Sequence, residues 1–333
     1  MSLQLSEIIM ITNYDLTIII RSSDERTTDF CKFLIKQQIP YNNIFLIKKS
    51  PFSAAIKEGF ELGIKNERKW TLCIDADVLV TQNGITQLVE NAEKSTENIF
   101  EVQGLVLDKF FPIKRPAGNH LYRTSLMEKA LFHIPEEGTS LRPESDMLNR
   151  MAENGHPWKQ TGILIGTHDF EQNYNDIYRK CFLQAHKHKH LLREAESYWS
   201  SIKKSDMDFQ VALWGALSGK IYNGTVLIDK NFLATEAKDA LAIMGVKEKK
   251  PIATSKFSSS LVTKILKNYD PNSKIHSDFQ QRMFPPTSWI TTHHSAPGKS
   301  PEHSRSIKRK YITYLGKALE NFGKKIQLNT DRR

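Results

Sequence analysis

Two aspartates separated by one residue end the segment TLCIDAD, at Asp75 and Asp77. The apolar residues before them predict a β-strand with both carboxylates at its C-terminal end. Carboxylates in this arrangement can ligate a hard divalent cation such as Mg²⁺ or Mn²⁺, often shared with substrate phosphates, or they can hold a ribose. The small Ala76 between them allows a ligand to come close. A solvated pair of acids at a strand end is the alternative interpretation.

The chain before this pair alternates predicted strands and helices. Strands are predicted at residues 16–21, 42–49 and 70–77, and helices at 27–38 and 50–69. This alternation predicts βαβ units and a parallel sheet covered on both faces. In such sheets ligands bind at the carboxyl ends of the strands, which is where Asp75 and Asp77 lie.

The chain after the pair continues with predicted helices and strands. We expect a helix at 84–94, a strand at 99–107, a loop carrying Lys114 and Arg115, helices near 122–132 and 144–154, and a strand at 161–166 that ends before His168. Residues 170–220 predict two helices. Ser205 and Asp208 match a capping box for the second of them.

Three motifs in this order resemble the GT-A glycosyltransferases, especially the large family 2. TLCIDAD is similar to the strand of that family that ends in a DxD motif. The segment ESDMLNRM, residues 144–151, followed by Glu153-Asn-Gly155, resembles the acidic motif of the family, and Thr167-His168-Asp169 resembles its late histidine motif. The resemblance covers roughly residues 16–170. It implies an α/β fold of the GT-A type, a Rossmann-like mixed sheet with flanking helices, here followed by a helical C-terminal extension.

The resemblance also implies a reaction and a set of site residues. The expected activity moves a sugar from a nucleotide-sugar donor to a glycan or lipid-linked acceptor, with inversion and with Glu144 as the general base. Asp75, Asp77 and His168 are the expected ligands of Mn²⁺ or Mg²⁺. The residues expected to contact the donor are Arg21, Asp24, Asp75, Lys114 and Arg115. Positive charge at the departing diphosphate and a carboxylate at the acceptor hydroxyl are what such a transfer needs.

Several residues depart from the pattern of the family. Arg21 replaces the usual proline after the first strand, and Lys48-Lys49-Ser50 replaces an acidic turn that holds the nucleotide base. Glu144 stands where aspartate is more common. The nucleotide is therefore left open. Asp24 and Arg26 are candidates for nucleotide contacts, against the alternative that Ser23 or Asp24 caps a helix.

The basic residues of the chain are concentrated near its C-terminus. Residues 247–333 hold 18 basic and 6 acidic residues, whereas residues 1–246 hold 29 and 31. We expect four parts: a core with the donor and metal site (1–170), a helical part on the acceptor side (171–246), a linker-like basic segment (247–305) and a basic amphipathic helix (306–328). This last helix predicts peripheral contact with an anionic membrane or a partner, or packing on its own domain.

Composition excludes several classes of protein. With 39% hydrophobic and 25% charged residues the chain is typical of a globular protein rather than a disordered one. The three cysteines form no CxxC pair, which argues against a disulfide framework and for a reducing compartment. No apolar run is long enough for a membrane span, so we expect a cytoplasmic protein, at most peripheral at the inner face of a membrane. Nucleic-acid binding is disfavoured because the main body lacks a basic stripe.

Some conspicuous residues are not predicted to belong to the site. The tract HKHKH, residues 186–190, is interpreted as a solvated helix, and His293-His294 likewise as solvated. Trp199, Trp214 and Trp289 are interpreted as core residues rather than acceptor platforms.

Three other functions compete with glycosyl transfer. A phosphatase of the haloacid dehalogenase type also uses a DxD after an apolar strand, but on its first strand, whereas two strand–helix units precede Asp75 here. A sugar-nucleotide nucleotidyltransferase needs a glycine-rich turn, which SSDER, residues 22–26, does not supply. A degenerate GT-A module that binds a glycan without transferring a sugar is the non-enzyme alternative.

Overall fold

The structure is a computed structural model that describes residues 15–270, 272–273, 276–277 and 279. These residues lie in one compact unit, Met1–Pro286. The predicted basic helix at 306–328, Trp289 and His293-His294 lie outside the described residues.

Eight strands form one mixed sheet in the described part of the chain. They are β1 (Leu16–Arg21), β2 (Ile44–Ile47), β3 (Trp70–Asp75), β4 (Val78–Val80), β5 (Glu101–Asp108), β6 (Lys114–Arg115), β7 (Asn119–Arg123) and β8 (Trp158–His168). The order across the sheet is β2-β1-β3-β7-β5-β8-β4, and β6 pairs with β5.

Ten α-helices accompany the sheet within the same described residues. They are α1 (Thr28–Lys36), α2 (Phe52–Lys65), α3 (Gly84–Glu93), α4 (Met127–Leu131), α5 (Pro143–Glu153), α6 (Tyr174–Lys187), α7 (Leu192–Ile202), α8 (Met207–Ile221), α9 (Ala234–Ile243) and α10 (Ser259–Lys267).

The sheet is mixed rather than parallel, which corrects the expectation drawn from the βαβ alternation. Strands β1, β2 and β3 are parallel, but β7 runs antiparallel to both β3 and β5. Tyr122 and Arg123 of β7 lie where the helix near 122–132 was expected to begin, and all five residues of this strand are buried. The mixed α/β architecture is compatible with the fold that the resemblance implies, and the GT-A assignment itself stays a prediction.

The alternation of side chains along β1 and β3 divides the core between the two faces of the sheet. Ile18 and Ile20 face a cluster that includes residues of α1, α3 and α10. Ile19 and Cys73 face a second cluster built on α2, α4 and α5. The continuous apolar runs of these strands follow from this burial on both faces.

The helices after β8 form a third cluster with Phe110 and Phe111. Residues 170–220 contain three helices rather than the predicted two, because a short break at 188–191 separates α6 from α7. The cap of α8 also differs from the prediction. Asp206, not Ser205, accepts the backbone N–H of Asp208, at 2.9 Å.

The described part of the predicted linker is folded onto the core. The Glu248 carboxylate accepts from the first backbone N–H groups of α6, at 2.7 and 3.0 Å. Phe257 stacks on Phe30 with ring centroids 4.9 Å apart, and Val262 of α10 is 1% exposed. The serines that suggested a linker include Ser258, whose side chain caps α10. Glu248, Phe257 and Val262 therefore attach this part of the chain to the core, and the division of the chain into four parts stays a prediction.

Among the described residues, no helix combines the length and the apolar character that crossing a membrane requires.

Candidate functional site

The carboxyl ends of four strands meet at one edge of the sheet. Arg21 at the end of β1 lies opposite Asp75 at the end of β3, and Asp108 at the end of β5 lies opposite His168 at the end of β8. Three of these four residues were predicted as site residues. The hydrophobic strands thus bring charged side chains together at their carboxyl ends, and three of the four, Arg21, Asp108 and His168, are buried there.

A cleft of about 580 Å³ opens beside this edge. Of the predicted site residues, Asp75, Glu144, His168 and Arg115 line it. Asp77 and Arg21 lie buried behind its wall, at 5% and 4% exposure. Asp24 and Lys114 do not line it.

Asp77, His168 and Asp169 form a buried group that could hold a metal ion. One ligand atom from each lies within 4.8 Å of the others. The prediction named Asp75, Asp77 and His168, so the structure brings two of the three together and adds Asp169. Asp75 lies outside the group, because its carboxylate pairs with Arg21.

The donor set fits a divalent cation. Two carboxylates and an imidazole are ligands that Mn²⁺ accepts. The Oδ1 atom of Asp77 is buried without a hydrogen-bond partner and lies 3.6 Å from Nε2 of His168. The opposite ring nitrogen, Nδ1, lies 2.8 Å from Oδ2 of Asp108. A carboxylate behind the ring fixes the orientation of an imidazole that ligates through its other nitrogen.

Asp169 reaches this group through an uncommon backbone conformation. Its φ is +67°, in the left-handed region that aspartate tolerates better than most residues. The residue directly after His168 can thereby turn its carboxylate back, so that Oδ2 lies 3.1 Å from Nδ1 of His168.

Lys180 of α6 supplies a positive charge to the same group. Its ammonium donates to Oδ2 of Asp77 and, at 2.5 Å, to Oδ1 of Asp169. Burial alone would lower the pKa of His168, but Asp169 and Asp77 raise it to about 10. The same acids hold the pKa of Lys180 above its usual range. The protein therefore balances these buried carboxylates with its own cations.

Arg115 is tied to this group through Asp108. Its Nε and Nη2 atoms donate to Oδ2 of Asp108 at 2.9 and 2.5 Å, and the guanidinium lies over the ring of Phe111. Burial alone would raise the pKa of Asp108, but Arg115 and His168 lower it.

Arg21 joins Asp75 to Glu144. Its Nε atom donates to Oδ1 of Asp75 at 2.9 Å, and Nη1 donates to Oε1 of Glu144 at 2.5 Å. The Arg21 side chain is 3% exposed, whereas that of Asp75 is 30% exposed to the cleft. Arg21, which replaces the proline expected from the resemblance, thus contacts two of the predicted site carboxylates.

Gly118 holds the backbone of Asp75. Its carbonyl accepts the Asp75 N–H at 2.8 Å, and its φ is +60°. A Cβ atom at this position would lie 2.8 Å from Cγ2 of Val78 and 3.2 Å from Oδ2 of Asp75, so glycine is needed here.

Both carboxylate oxygens of Glu144 are engaged. The Tyr122 hydroxyl donates to Oε1 at 3.0 Å, and Nε2 of His120 lies 3.2 Å from Oε2. Burial alone would raise the pKa of Glu144, but Arg21 and His120 hold it well below its usual range. Glu144 is therefore an ionised and strongly hydrogen-bonded carboxylate.

His120 lies between two buried acids. Its Nδ1 atom lies 2.8 Å from Oε1 of Glu101, on the side opposite Glu144. Burial alone would lower its pKa, but Glu144 and Glu101 raise it to about 10. His120 is accordingly an imidazolium at neutral pH.

The other predicted donor contacts lie apart from the cleft. Asp24 is exposed and pairs with Lys48 at 2.7 Å and with Lys230 at 3.3 Å. Arg26 pairs with Glu171 at 3.0 Å. Neither Ser23 nor Asp24 caps α1, whose N-cap is Thr27. Lys114 lies over the ring of Tyr269, and its role in phosphate binding stays a prediction.

Sequence reasoning missed cleft residues on α6 and beside α5. Lys187, His188 and His190 line the cleft, as does Arg142 just before α5. The HKHKH tract is therefore not simply a solvated helix. One face of α6 carries Lys180, Gln184 and Lys187 at helical spacing, and this spacing was the signal in the sequence. Only the fold shows that Gln184 and Lys187 of this face lie at the cleft.

Trp158 is a further missed residue. It begins β8, is 38% exposed and lines the cleft. Trp199 is fully buried and donates to the Phe110 carbonyl at 2.7 Å, as its interpretation as a core residue requires. Trp214 packs against the same core cluster.

Neither a family model nor a curated protein matches this chain. Among solved structures, it is similar to a glycosyltransferase involved in the glycosylation of the major capsid of PBCV-1, at 11% identity and TM-score 0.31, over 44% of this chain and 81% of that one. It is similar to the mannosyltransferase PcManGT from Pyrobaculum calidifontis in complex with GDP-Man and Mn²⁺, at 9% identity and TM-score 0.36, over 82% and 84%.

A third similar structure is a CMP:2-keto-3-deoxy-manno-octonic acid synthetase complexed with CTP, at 10% identity and TM-score 0.31, over 46% of this chain and 92% of that one. These neighbours are two glycosyltransferases and a nucleotide-sugar synthetase. Their TM-scores are too low to carry a functional argument, so the function proposed below is based on the site itself.

Proposed function

We propose that this protein transfers a glycosyl group from a nucleoside-diphosphate sugar to the hydroxyl of a glycan or lipid-linked acceptor. The observation that carries the proposal is the buried group Asp77, His168 and Asp169, whose His168 lines the cleft together with Asp75 and Glu144. This arrangement offers a place for a diphosphate-bound cation next to carboxylates that can face an acceptor.

Asp77, His168 and Asp169 would hold Mn²⁺ or Mg²⁺. A divalent cation at this place supplies positive charge that stabilises the departing diphosphate. Lys180 donates to two of the three ligands, so its ammonium provides charge of the same sign from the protein itself. Arg115 adds a further cation at the cleft wall and remains the proposed phosphate contact.

Glu144 would accept the proton of the acceptor hydroxyl. As that oxygen bonds to the anomeric carbon, the bond from this carbon to the diphosphate breaks and the diphosphate leaves. Attack from the side opposite the leaving group inverts the anomeric carbon. The low pKa of Glu144 and its contacts to Arg21, His120 and Tyr122 oppose proton uptake. The carboxylate must give up one of these contacts to act as the base.

The same contacts favour a second candidate, a module that binds a nucleotide sugar or glycan without transferring the sugar. In that case Glu144 and Arg21 would be structural, and the cleft would bind without turnover. A cytoplasmic location belongs to the proposal in either case. It is supported by three cysteines that are all buried free thiols.

The decisive experiment is thermal-shift and calorimetric titration of the intact protein with a panel of nucleoside diphosphates, with and without Mn²⁺. We expect one diphosphate to stabilise the protein only when Mn²⁺ is present, and Asp77→Asn to abolish this effect. Asp176→Asn, a change of the same kind on α6 outside the group, is the matched control.

Binding followed by sugar transfer would support the enzyme, and binding without transfer to any acceptor would favour the module. If no nucleoside diphosphate binds, the proposal fails. Hydrolysis of phosphomonoesters in its place would favour the phosphatase alternative.

A further inference from the structure

One wall of the cleft carries an excess of positive charge. Arg142, Lys187, His188 and His190 line this wall, and Arg115, the proposed contact of the donor phosphate, lines the same cleft. Arg115 is already paired with Asp108, which is fully buried. Arg142 and Lys187, in contrast, have no acidic partner in an ion pair within the described part of the chain.

Arg142 is held by uncharged acceptors. Its Nη2 atom donates to the Lys187 carbonyl at 3.3 Å and to the ring of His188 at 2.9 Å. Burial, together with Arg142 and Arg115, lowers the pKa of His188 to about 2, so the imidazole is neutral and accepts this hydrogen bond. The charge of Asp146 acts to raise the pKa of Arg142, but the two side chains form no ion pair within the described part of the chain. The guanidinium is therefore positioned but not neutralised.

Lys187 is half-buried at the end of α6. Its ammonium has neither an ion pair nor a hydrogen bond among the described residues. Burial lowers its pKa to about 8, and Arg179, Arg142, Arg115 and Lys180 lower it in the same direction. The charged groups with the largest effects on the pKa of Lys187 are thus all positive. A cleft wall with this charge favours the binding of an anion.

The wall lies on the acceptor side of the proposed reaction. Arg142 immediately precedes α5, and Glu144 is in the first turn of that helix. Pro143, Glu144 and Ser145 line the cleft, so the positive end of the helix dipole adds to the charge of Arg142. The proposed cation ligands are grouped around Lys180 instead. An anion between Arg142 and Lys187 would therefore belong to the molecule whose hydroxyl faces Glu144.

We propose that the acceptor carries a phosphoryl group and that Arg142 and Lys187 bind it. This inference rests on the proposed function for the identity of the acceptor. Trp158, exposed in the same cleft, offers a flat apolar face on which a sugar ring of that acceptor packs.

A phosphoryl group fits this wall better than a carboxylate does. Two unbalanced cations match the charge of a phosphomonoester, which is close to −2 at neutral pH. The two hydrogen bonds of Arg142 use its Nη2 atom, so its Nη1 atom can donate to a phosphate oxygen, while Lys187 adds a point charge. A single carboxylate would leave one of the two cations unbalanced.

The test is isothermal titration of the intact protein with glucose 6-phosphate and with inorganic phosphate, in EDTA at pH 7. We expect the wild type to bind, and Arg142→Gln and Lys187→Gln each to raise the Kd by about tenfold or more, the effect of losing one charge-assisted hydrogen bond. Lys189→Gln removes an exposed lysine of the same tract outside the cleft and should leave the Kd unchanged.

Asp77→Asn should keep this metal-free binding, because the metal group is not part of the phosphoryl site. The phosphate titration in EDTA can therefore be interpreted even if no nucleoside diphosphate binds. The nucleoside diphosphate titration can likewise be interpreted if no phosphate binds. Melting temperatures of the variants verify that each is folded.

Four results of the metal-free titrations would overturn the inference. They are no binding of either probe, the same Kd in the Arg142 and Lys187 variants, an equal loss in Lys189→Gln, and equally tight binding of glucuronate. Binding that requires both Mn²⁺ and Asp77 would also overturn it by assigning these cations to the donor diphosphate. Binding to vesicles that contain a phosphomonoester lipid is then compared with binding of glucose 6-phosphate. This comparison distinguishes a lipid-linked phosphoryl group from a soluble sugar phosphate. Tighter binding of either one supports phosphoryl recognition.

Discussion

Arg21 and Glu144, 123 residues apart in the chain, form a buried ion pair with Nη1 2.5 Å from Oε1. The pair joins the first strand of the sheet to the helix that carries the proposed base. Because Arg21 also donates to Asp75, one guanidinium fixes the distance between two cleft carboxylates. A buried charge of this kind is costly once its partner is removed.

Arg21→Met should therefore destabilise the protein strongly. We expect the free energy of unfolding to fall by about 3–5 kcal/mol, since Glu144 and Asp75 lose their shared counter-charge. Urea denaturation measures this change. Arg150→Met, at an exposed arginine of α5, is the control and should change stability little. A loss for Arg21→Met no larger than that of the control would show that the pair is not important for stability.

Glu144→Gln tests the proposed base. The amide keeps the shape of the side chain but cannot take up the proton, so we expect kcat to fall by about 100- to 10,000-fold. Glu153→Gln, at an exposed residue of the same helix, should retain full activity. The assay must be run below the melting temperature of the variant, because Arg21 also loses charge balance. Retention of more than about a tenth of the wild-type kcat would exclude Glu144 as the base.

The pH dependence of stability should report on His120. Its pKa is raised from an ordinary 6.5 to about 10, because Glu144 and Glu101 outweigh the effect of burial. A raised pKa in the folded protein contributes stability that is fully present below pH 6.5 and is lost as the pH rises towards 10. The stability difference between wild type and His120→Gln should therefore shrink across this range. Melting temperatures of both proteins in matched buffers give this difference, and a constant value would show that His120 is not an imidazolium.

Lys180→Met tests the metal group. In EDTA the variant leaves Asp77 and Asp169 without their lysine, and we expect a loss of about 3–5 kcal/mol. Mn²⁺ should restore the stability, because the vacated space and the two carboxylates then favour a divalent cation.

Lys109→Met is the matched control for this experiment. The Lys109 ammonium pairs with Asp206 and Asp208, which are not proposed metal ligands, so its loss should also destabilise the protein, but without rescue by Mn²⁺. Equal responses of the two variants to Mn²⁺ would contradict a specific cation site at Asp77.

Val262→Ala tests whether α10 belongs to the core. Val262 is 1% exposed, and removing two buried methyl groups should cost about 2 kcal/mol. Lys264→Ala on the exposed face of α10 should cost much less. Limited proteolysis gives a second readout, since a detached helix would be cut in the wild type as rapidly as in the variant.

The local pattern of the chain was enough to predict much of the scaffold. The apolar runs at 16–21 and 70–75 and the apolar spacing of residues 50–69 predicted β1, β3 and α2, because burial on one or both faces leaves a trace in the sequence. The strand β7 left no such trace, since buried Asn119, His120 and Arg123 are polar and find their partners in other elements. The βαβ alternation alone therefore indicated a parallel sheet, whereas the mixed sheet was expected only from the resemblance to the GT-A glycosyltransferases.

The site was predictable only as a set of residue types at strand ends. Asp75 and Asp77 were selected because a pair of acids after an apolar strand is unusual in a core, and His168 because Thr167-His168-Asp169 resembles the late histidine motif of the GT-A family. Which of them share a ligand sphere was not predictable, because Asp169 enters through its own backbone conformation and Lys180 arrives from a helix that begins after β8.

The sequence by itself determined that this is a strand-and-helix protein with charged residues at the carboxyl ends of its strands, because hydrophobic periodicity and strand-end polarity are local properties. Only the tertiary structure decided that Arg21 pairs with Glu144, that Lys180 balances Asp77, and that Arg142 and Lys187 share one cleft wall. Those contacts depend on sheet order, register and helix rotation, which are set by packing among elements distant in the chain.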